Sequence, residues 1–261
     1  LAVLASCSDR NSLAAPLLLG LAWSCSIGGL GTPIGTPPNL ILVQVYEANT
    51  AQTISFGQWM SWGMPVVLTL LPLAWWWVTR AVPRELDIQV PAVGPWRSAE
   101  RRVLVVFVFT AVAWITRAEP FGGWQTWLDL PAANDASVAL LAVVALFVVR
   151  DDQGEPLIDW AKASQIPWGV LLLFGGGICL ARAFVASGLS AQFGDALTTV
   201  AALPVFAMML LLALAVTFLT EATSNTATTA LLMPVLAAVA LAVEIDPLWL
   251  MVPAAMSASC A

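Results

Sequence analysis

Two short stretches of this sequence set polar and helix-breaking residues into apolar surroundings, and their chemistry is that of holding ions rather than of making or breaking bonds. Thr220-Glu-Ala-Thr-Ser-Asn-Thr-Ala-Thr-Thr229 carries seven side chains that hydrogen-bond through a hydroxyl or amide, one carboxylate, and no Lys or Arg. Ser224, Asn225 and Thr226 are suited to opening a helix, where their side chains and the first free amides can hold a carboxylate. Neutral donors grip an anion less tightly than Arg does, which suits a site that must also release. The same tripeptide is equally an ordinary N-cap on a water-facing turn. Glu221 could bind a cation, carry a proton or accept amide hydrogen bonds as a structural group, and the structural role is the first expectation.

The second stretch is Ser26-Ile-Gly-Gly-Leu-Gly-Thr-Pro-Ile-Gly-Thr-Pro-Pro-Asn39. Four glycines and three prolines within one apolar span cannot propagate a regular helix, because Pro lacks a backbone donor and Gly favours unwinding. The helix is expected to break near residues 35–38. In hydrocarbon, broken backbone persists only where it is buried in protein or lines a polar cavity. Such a break offers carbonyl oxygens to a dehydrated cation and a half-helix N-terminus to an anion. Thr32, Thr36 and Asn39 add neutral hydrogen-bonding groups at the same depth. A proline kink used for helix packing is the alternative, and Gly-Thr-Pro-Pro-Asn after three further glycines weighs against it.

The elements that must position these stretches are membrane helices. Hydrophobic residues make up 60% of the 261, charged residues only 10%, and mean hydropathy is +0.87, more apolar surface than a soluble domain can cover. Apolar blocks fall at 64–78, 103–115, 138–149, 167–181, 204–219 and 230–243, several shorter than the roughly 20 residues of an unaided crossing. The expected organisation is one all-α polytopic membrane domain over 1–261. It has a broken helix at 14–45, spans at 56–79, 101–117, 133–150 and 165–187, a re-entrant hairpin with its following helix at 203–243, and the start of a further broken helix at 247–261. The hairpin follows from the tip at 220–229, which lacks the basic residues of a cytoplasmic loop.

Basic residues orient the spans. Arg80, Arg84, Arg97, Arg101 and Arg102 share one loop, Arg150 and Lys162 bound another and Arg10 precedes the first span, whereas the alternate loops hold only Arg117. Trp59 and Trp62 at one end of a span and Trp75, Trp76 and Trp77 at the other are expected to form aromatic belts, with Trp160 and Trp168 at the next inner boundary. Gly175-Gly-Gly177 lacks the ending of a phosphate loop and is expected to allow close helix packing. Arg182 is expected to snorkel. Cys7, Cys25, Cys179 and Cys260 lack paired spacing and read as packing thiols. A formal net charge of −6 and the lack of any basic arm exclude nucleic acid, and the absence of His removes the commonest general base and metal ligand. The chain begins at Leu1 and stops at Ala261 within an apolar stretch, so it is expected to be a fragment truncated at both ends.

On these residues the chain resembles the divalent anion:sodium symporter family, the dicarboxylate, citrate and sulfate carriers. The matching elements are the Ser26 to Ile41 stretch, Ile54-Ser-Phe-Gly-Gln-Trp-Met60, Ile166-Pro-Trp-Gly169 with Leu173-Phe-Gly-Gly-Gly177, and Thr220 to Thr228. The resemblance implies an inverted-repeat ion-transporter fold with two re-entrant hairpins tipped by Ser-Asn-Thr and two unwound helices carrying Pro-Pro-Asn, of which this sequence holds one each. The first hairpin would precede Leu1 and the second unwound segment would follow Ala261. It also implies that Ser224, Asn225, Thr226, Gly35 and Thr36 contact substrate, and that Gly35, Thr220, Thr223 and Asn225 contribute to sodium sites, partly through carbonyls. Pro37, Pro38, Asn39 and Glu221 would give structural support. Sodium is the coupling ion, no cofactor is implied, and a homodimer in the bacterial inner membrane, moving by an elevator-like displacement, is expected.

The expected function is sodium-coupled uptake of a small divalent anion, foremost a C4-dicarboxylate such as succinate or malate. Sodium-independent dicarboxylate exchange, or carriage of sulfate or citrate, is the alternative within the class. A channel would need a continuous polar face through several spans, which the sequence does not show. An intramembrane enzyme would need a nucleophile with its base, or a metal set, and neither can be assembled here.

Overall fold

The computed structural model describes residues 10–80, 82, 94–118, 122–166, 168–189, 192, 204–242 and 244–260. Cys7, Arg84 and most of the loop at 187–203 lie outside the described residues. The architecture is all-α: α1 (Arg10–Gly29), α2 (Pro37–Thr50), α3 (Phe56–Thr79), α4 (Ser98–Ile115), α5 (Gly123–Trp127), α6 (Asp135–Val148), α7 (Trp160–Ala163), α8 (Trp168–Ala186), α9 (Val205–Ala222), α10 (Asn225–Ala242) and α11 (Leu248–Ala258). Among the described residues, α3 and α9 are long and apolar enough to cross a membrane. Large apolar side chains stand exposed along these helices, as at Leu68, Leu73, Phe206 and Phe218, which is the pattern of a surface solvated by lipid.

The chain divides into two compact units. One contains α4 to α7. Here α4 packs against α6, and an arginine and aspartate pair sits at each end of that hairpin. Arg117 Nε reaches Asp135 Oδ1 at 2.6 Å, and its guanidinium also donates to Gln125 Oε1 at 2.9 Å. At the opposite ends Arg102 meets Asp152 at 2.7 Å and donates to the Arg150 carbonyl. Trp114 Nε1 donates to the Asp135 carbonyl and Trp124 Nε1 to that of Ala113, so the polar edges of both indoles are used inside the unit. Asn134 caps α6 by accepting the Ser137 N–H at 2.9 Å. Asp159 caps the short α7 by accepting the Lys162 N–H at 2.7 Å, and that hydrogen bond holds its carboxyl below the usual value.

The other unit holds α1 to α3 and α8 to α11. Its core joins Ile41, Leu42, Val45 and Tyr46 of α2 to Met208 and Val216 of α9, to Met233, Ala237 and Ala240 of α10, and to Met251, Ala254, Ala255 and Ala258 of α11. The run of alanines on facing positions lets the backbones approach closely, the usual currency of helix association in lipid. α2 packs on α8, α10 and α11, and α9 packs far more on α11 than on its sequence neighbour α10.

Two expectations on this unit need correction. Trp59 is fully buried with Trp62 half-buried beside it, so they pack inside the protein rather than form a belt. An indole N–H needs an acceptor, and the interrupted helix supplies one. Trp75, Trp76 and Trp77 are exposed, with the Arg80 guanidinium 3.8 Å from the Trp77 ring centroid and 4.5 Å from that of Trp76. A Cβ placed on Gly175 or Gly176 would meet open space, so those two glycines of α8 do not mediate close packing among the described residues.

Candidate functional site

The interruption after α1 spans residues 30–36, earlier than the 35–38 expected from the prolines. Pro37 and Pro38 occupy the first turn of α2, where a backbone N–H would be free in any case and the fixed φ of proline matches the helix. The glycine pair at 28 and 29 marks the end of α1 instead. Thr36 is the N-cap, with extended backbone at φ −148° and ψ 147°, and its carbonyl accepts the Asn39 N–H at 3.2 Å.

Tight turns and three side-chain contacts shape the loop. Leu30 N–H donates to Ile27 O, Gly31 N–H to Gly28 O and Gly35 N–H to Thr32 O, at 3.1, 3.1 and 3.2 Å. The neck closes on two glycines. A Cβ on Gly35 would lie 2.3 Å from the Gly29 carbonyl oxygen, and one on Gly63 of α3 would lie 2.3 Å from that of Leu30. Trp59 Nε1 donates to the Leu30 carbonyl at 3.0 Å, while Asn39 Nδ2 donates to Gly29 O at 3.1 Å and to Thr32 O at 2.8 Å. Asn39, Leu30 and Trp59 are fully buried. Carbonyls released by the broken ladder are thus covered by two long-range side chains, as an interruption at membrane depth requires. Trp59 as the cover of Leu30 O, and Gly29 and Gly63 as points of close approach, were not foreseen from sequence, because each acts through a partner distant along the chain or through its lack of a side chain.

The polar stretch at 220–229 is also a break between helices. α9 runs through Ala222, so it is longer than the apolar block at 204–219. The polar residues prolong it by bonding back onto the helix: Thr220 Oγ1 donates to Val216 O at 2.8 Å, and Thr223 Oγ1 to Leu219 O at 2.8 Å. With its proton so used, the Thr223 hydroxyl accepts from Thr228 Oγ1 at 2.7 Å. Thr220 is buried with its hydroxyl engaged, and its proton is shared between Val216 O and Thr217 O. Ser224 immediately precedes α10: its carbonyl accepts Thr228 N–H at 2.8 Å and its Oγ accepts Ala227 N–H at 3.4 Å. Asn225 and Thr226 form the first turn, half-exposed, and their backbone N–H groups have no acceptor within the helix. Glu221 is exposed, and its carboxylate holds no amide among the described residues.

The two breaks differ in what they can offer. Prolines at the first two positions of α2 remove two of the amides that a helix N-terminus would otherwise present, and the loop before it is rich in carbonyls. α10 keeps its first amides and adds the hydroxyl and amide side chains of Ser224, Asn225 and Thr226. By chemistry alone the first break suits a hard cation and the second an anion. α2 and α10 are packed neighbours, and Ile41, Leu42 and Met233 share one core. Among the described residues no hydrogen bond joins the Gly35–Thr36 pair to Ser224, Asn225 or Thr226. No group of three or more His, Cys, Asp or Glu that could hold a metal occurs among the described residues either.

Comparison with known proteins bears on what such an arrangement serves. The family model described as citrate transporter matches residues 1–255. The chain is similar to the sodium-dependent dicarboxylate transporter SdcS of Staphylococcus saprophyticus, 37% identical over 259 residues, covering 94% of this chain and 49% of the relative. It is 35% identical, with the same coverage, to SdcS of Staphylococcus aureus strains RF122 and MSSA476. The chain spans about half the length of the curated relatives it matches.

Proposed function

The chain belongs to the citrate transporter family, and from that membership we propose that it carries the binding elements of a sodium-coupled carrier for a small divalent anion, foremost a C4-dicarboxylate such as succinate or malate. Membership of a transport family sets the protein apart from the enzymes, and its kinship with bacterial carriers, together with its apolar helices, supports a multi-pass protein of the bacterial inner membrane. The observation that carries the functional reading is the pairing of two helix interruptions of opposite chemistry, at the starts of the packed helices α2 and α10. Kinship with sodium-dependent dicarboxylate transporters supports both ions.

In this reading the amides of Asn225 and Thr226, with the side chains of Ser224, Asn225 and Thr226, take a carboxylate group of the substrate. The partial positive charge of a helix N-terminus favours that group without a fixed cation. Sodium binds at the first break. The carbonyls of Gly29, Leu30 and Thr32 already accept hydrogen bonds, so sodium draws on oxygens nearer Gly35, with Thr36 at the edge shared with substrate. A second sodium uses the carbonyls around Thr220 and Thr223 together with Asn225, because the hydroxyl of Thr220 is spent within α9. Pro37 and Pro38 set the start of α2, and Glu221 lends negative potential beside the second ion. Each sodium offsets the charge of the dicarboxylate, so either ligand strengthens the binding of the other.

The finer architecture belongs to the same proposal: an inverted-repeat fold in which 203–243 forms a re-entrant hairpin, assembled as a homodimer and moving its site by an elevator-like step. The absence of Lys and Arg between 220 and 229 supports a tip that stays out of the cytoplasm. Uptake of labelled succinate by the complete protein in proteoliposomes tests the function. An inward sodium gradient should drive accumulation, and Asn225→Ala should abolish it. Uptake indifferent to sodium would turn the reading to dicarboxylate exchange, and full activity in Asn225→Ala would remove the anion site from α10.

A further inference from the structure

Asn39 is fully buried, and only half of its amide is in use. Nδ2 bridges the carbonyls of Gly29 and Thr32 across the break, whereas Oδ1, sealed from solvent, has no hydrogen-bond donor among the described residues. Burying an unpaired acceptor is unfavourable, so the position is explained by what the donor half does. Two carbonyls three residues apart, one at the end of α1 and one inside the seven-residue loop, need two N–H groups from one short side chain at the start of α2. Serine and threonine have one proton to give, glutamine is longer by a methylene, and lysine or arginine would set a positive charge beside a cation site. Asparagine alone meets all three demands, and its free Oδ1 leaves the negative end of the amide dipole buried beside the break.

We propose that Asn39 is a positioning residue for sodium: by latching Gly29 to Thr32 it holds the loop at 30–36 in one shape, so that the carbonyl oxygens near Gly35 point together at the ion. The inference rests on the proposed sodium-coupled function and deepens it. Asn39 acts through backbone it orients rather than by touching substrate, so its loss raises the sodium requirement and leaves the anion site on α10 largely intact. Trp59, which holds the Leu30 carbonyl of the same loop, acts in the same direction through a single hydrogen bond.

The test is uptake by the complete protein, normalised to folded carrier, in Asn39→Leu, which keeps the volume, and Asn39→Asp, which keeps an acceptor and loses the paired donors. Both should raise the half-saturating sodium concentration about tenfold, the loss of about 1.4 kcal/mol of binding, while the KM for succinate at saturating sodium changes far less. A purely structural role would lower the amount of folded protein and leave the sodium dependence of the remainder unchanged, and that result overturns the inference. Should neither variant fold, Trp59→Phe decides: a higher half-saturating sodium concentration supports a loop-positioned ion site, and an unchanged one contradicts it. Wild-type uptake that ignores sodium defeats the proposed function itself, whereas sodium-driven wild-type uptake with unaltered variants defeats the Asn39 inference alone.

Discussion

A methyl group on Gly35 would approach the Gly29 carbonyl oxygen to 2.3 Å and its Cα to 2.8 Å, and neither atom can yield without reshaping the loop they close. Gly35→Ala is therefore expected to cost about 1–3 kcal/mol of stability and to remove sodium-driven uptake even where folded protein is recovered. A thermal melt in detergent, paired with succinate uptake, checks both. If Gly35→Ala keeps the wild-type melting temperature and transports normally, the tight neck is wrong. At this scale the sequence told more about chemistry than about contact. The hydroxyl and amide residues at 220–229 and the glycines and prolines at 28–38 stood out as polar and helix-interrupting material, and both stretches do hold a break between helices. That Asn39 and Trp59 cover the freed carbonyls was not, because Trp59 acts on Leu30 across 29 positions and no local pattern reports that pairing. The same tryptophan, seen only as a residue at the end of an apolar run, looked interfacial.

Helices are legible in an apolar sequence as blocks, but where they stop depends on bonds that hydropathy does not register. α9 outruns its apolar block because Thr220 and Thr223 return their hydroxyls to the helix backbone, and the prolines expected to break a helix instead begin α2. Arg117 shows the same limit. By charge bias it was the lone basic residue in the loops opposite the cytoplasmic ones, whereas its side chain is 15% exposed and ties α4 to α6 through Asp135. Asp135 is more open to solvent, which tempers the pair's worth. A double-mutant cycle of Arg117→Ala and Asp135→Ala, followed by thermal melts, should give a coupling energy of about 1 kcal/mol. No coupling would make the contact incidental to the hairpin.

For the molecule as a whole, membership of the citrate transporter family agrees with a reading built on two interrupted helices. Both interruptions lie in one compact unit, and the arginine-clamped hairpin α4–α6 lies in the other. The membrane class was legible because composition alone demands lipid, and the breaks because glycine and proline set within an apolar span interrupt a helix. The packing of α2 on α8, α10 and α11 was not legible, since residues nearly two hundred positions apart meet there. The central claim is that the start of α2 and the start of α10 serve one ligand set. Its most direct test places a single cysteine at Thr36 or at Thr226 in complete protein whose native cysteines, Cys7, Cys25, Cys179 and Cys260 among them, are replaced by serine, and follows alkylation as sodium and succinate are added. Both cysteines should be protected with the same half-saturating sodium concentration, and succinate should add protection only when sodium is present. Protection of one with the other unaffected, or two unrelated concentration dependences, would contradict the account.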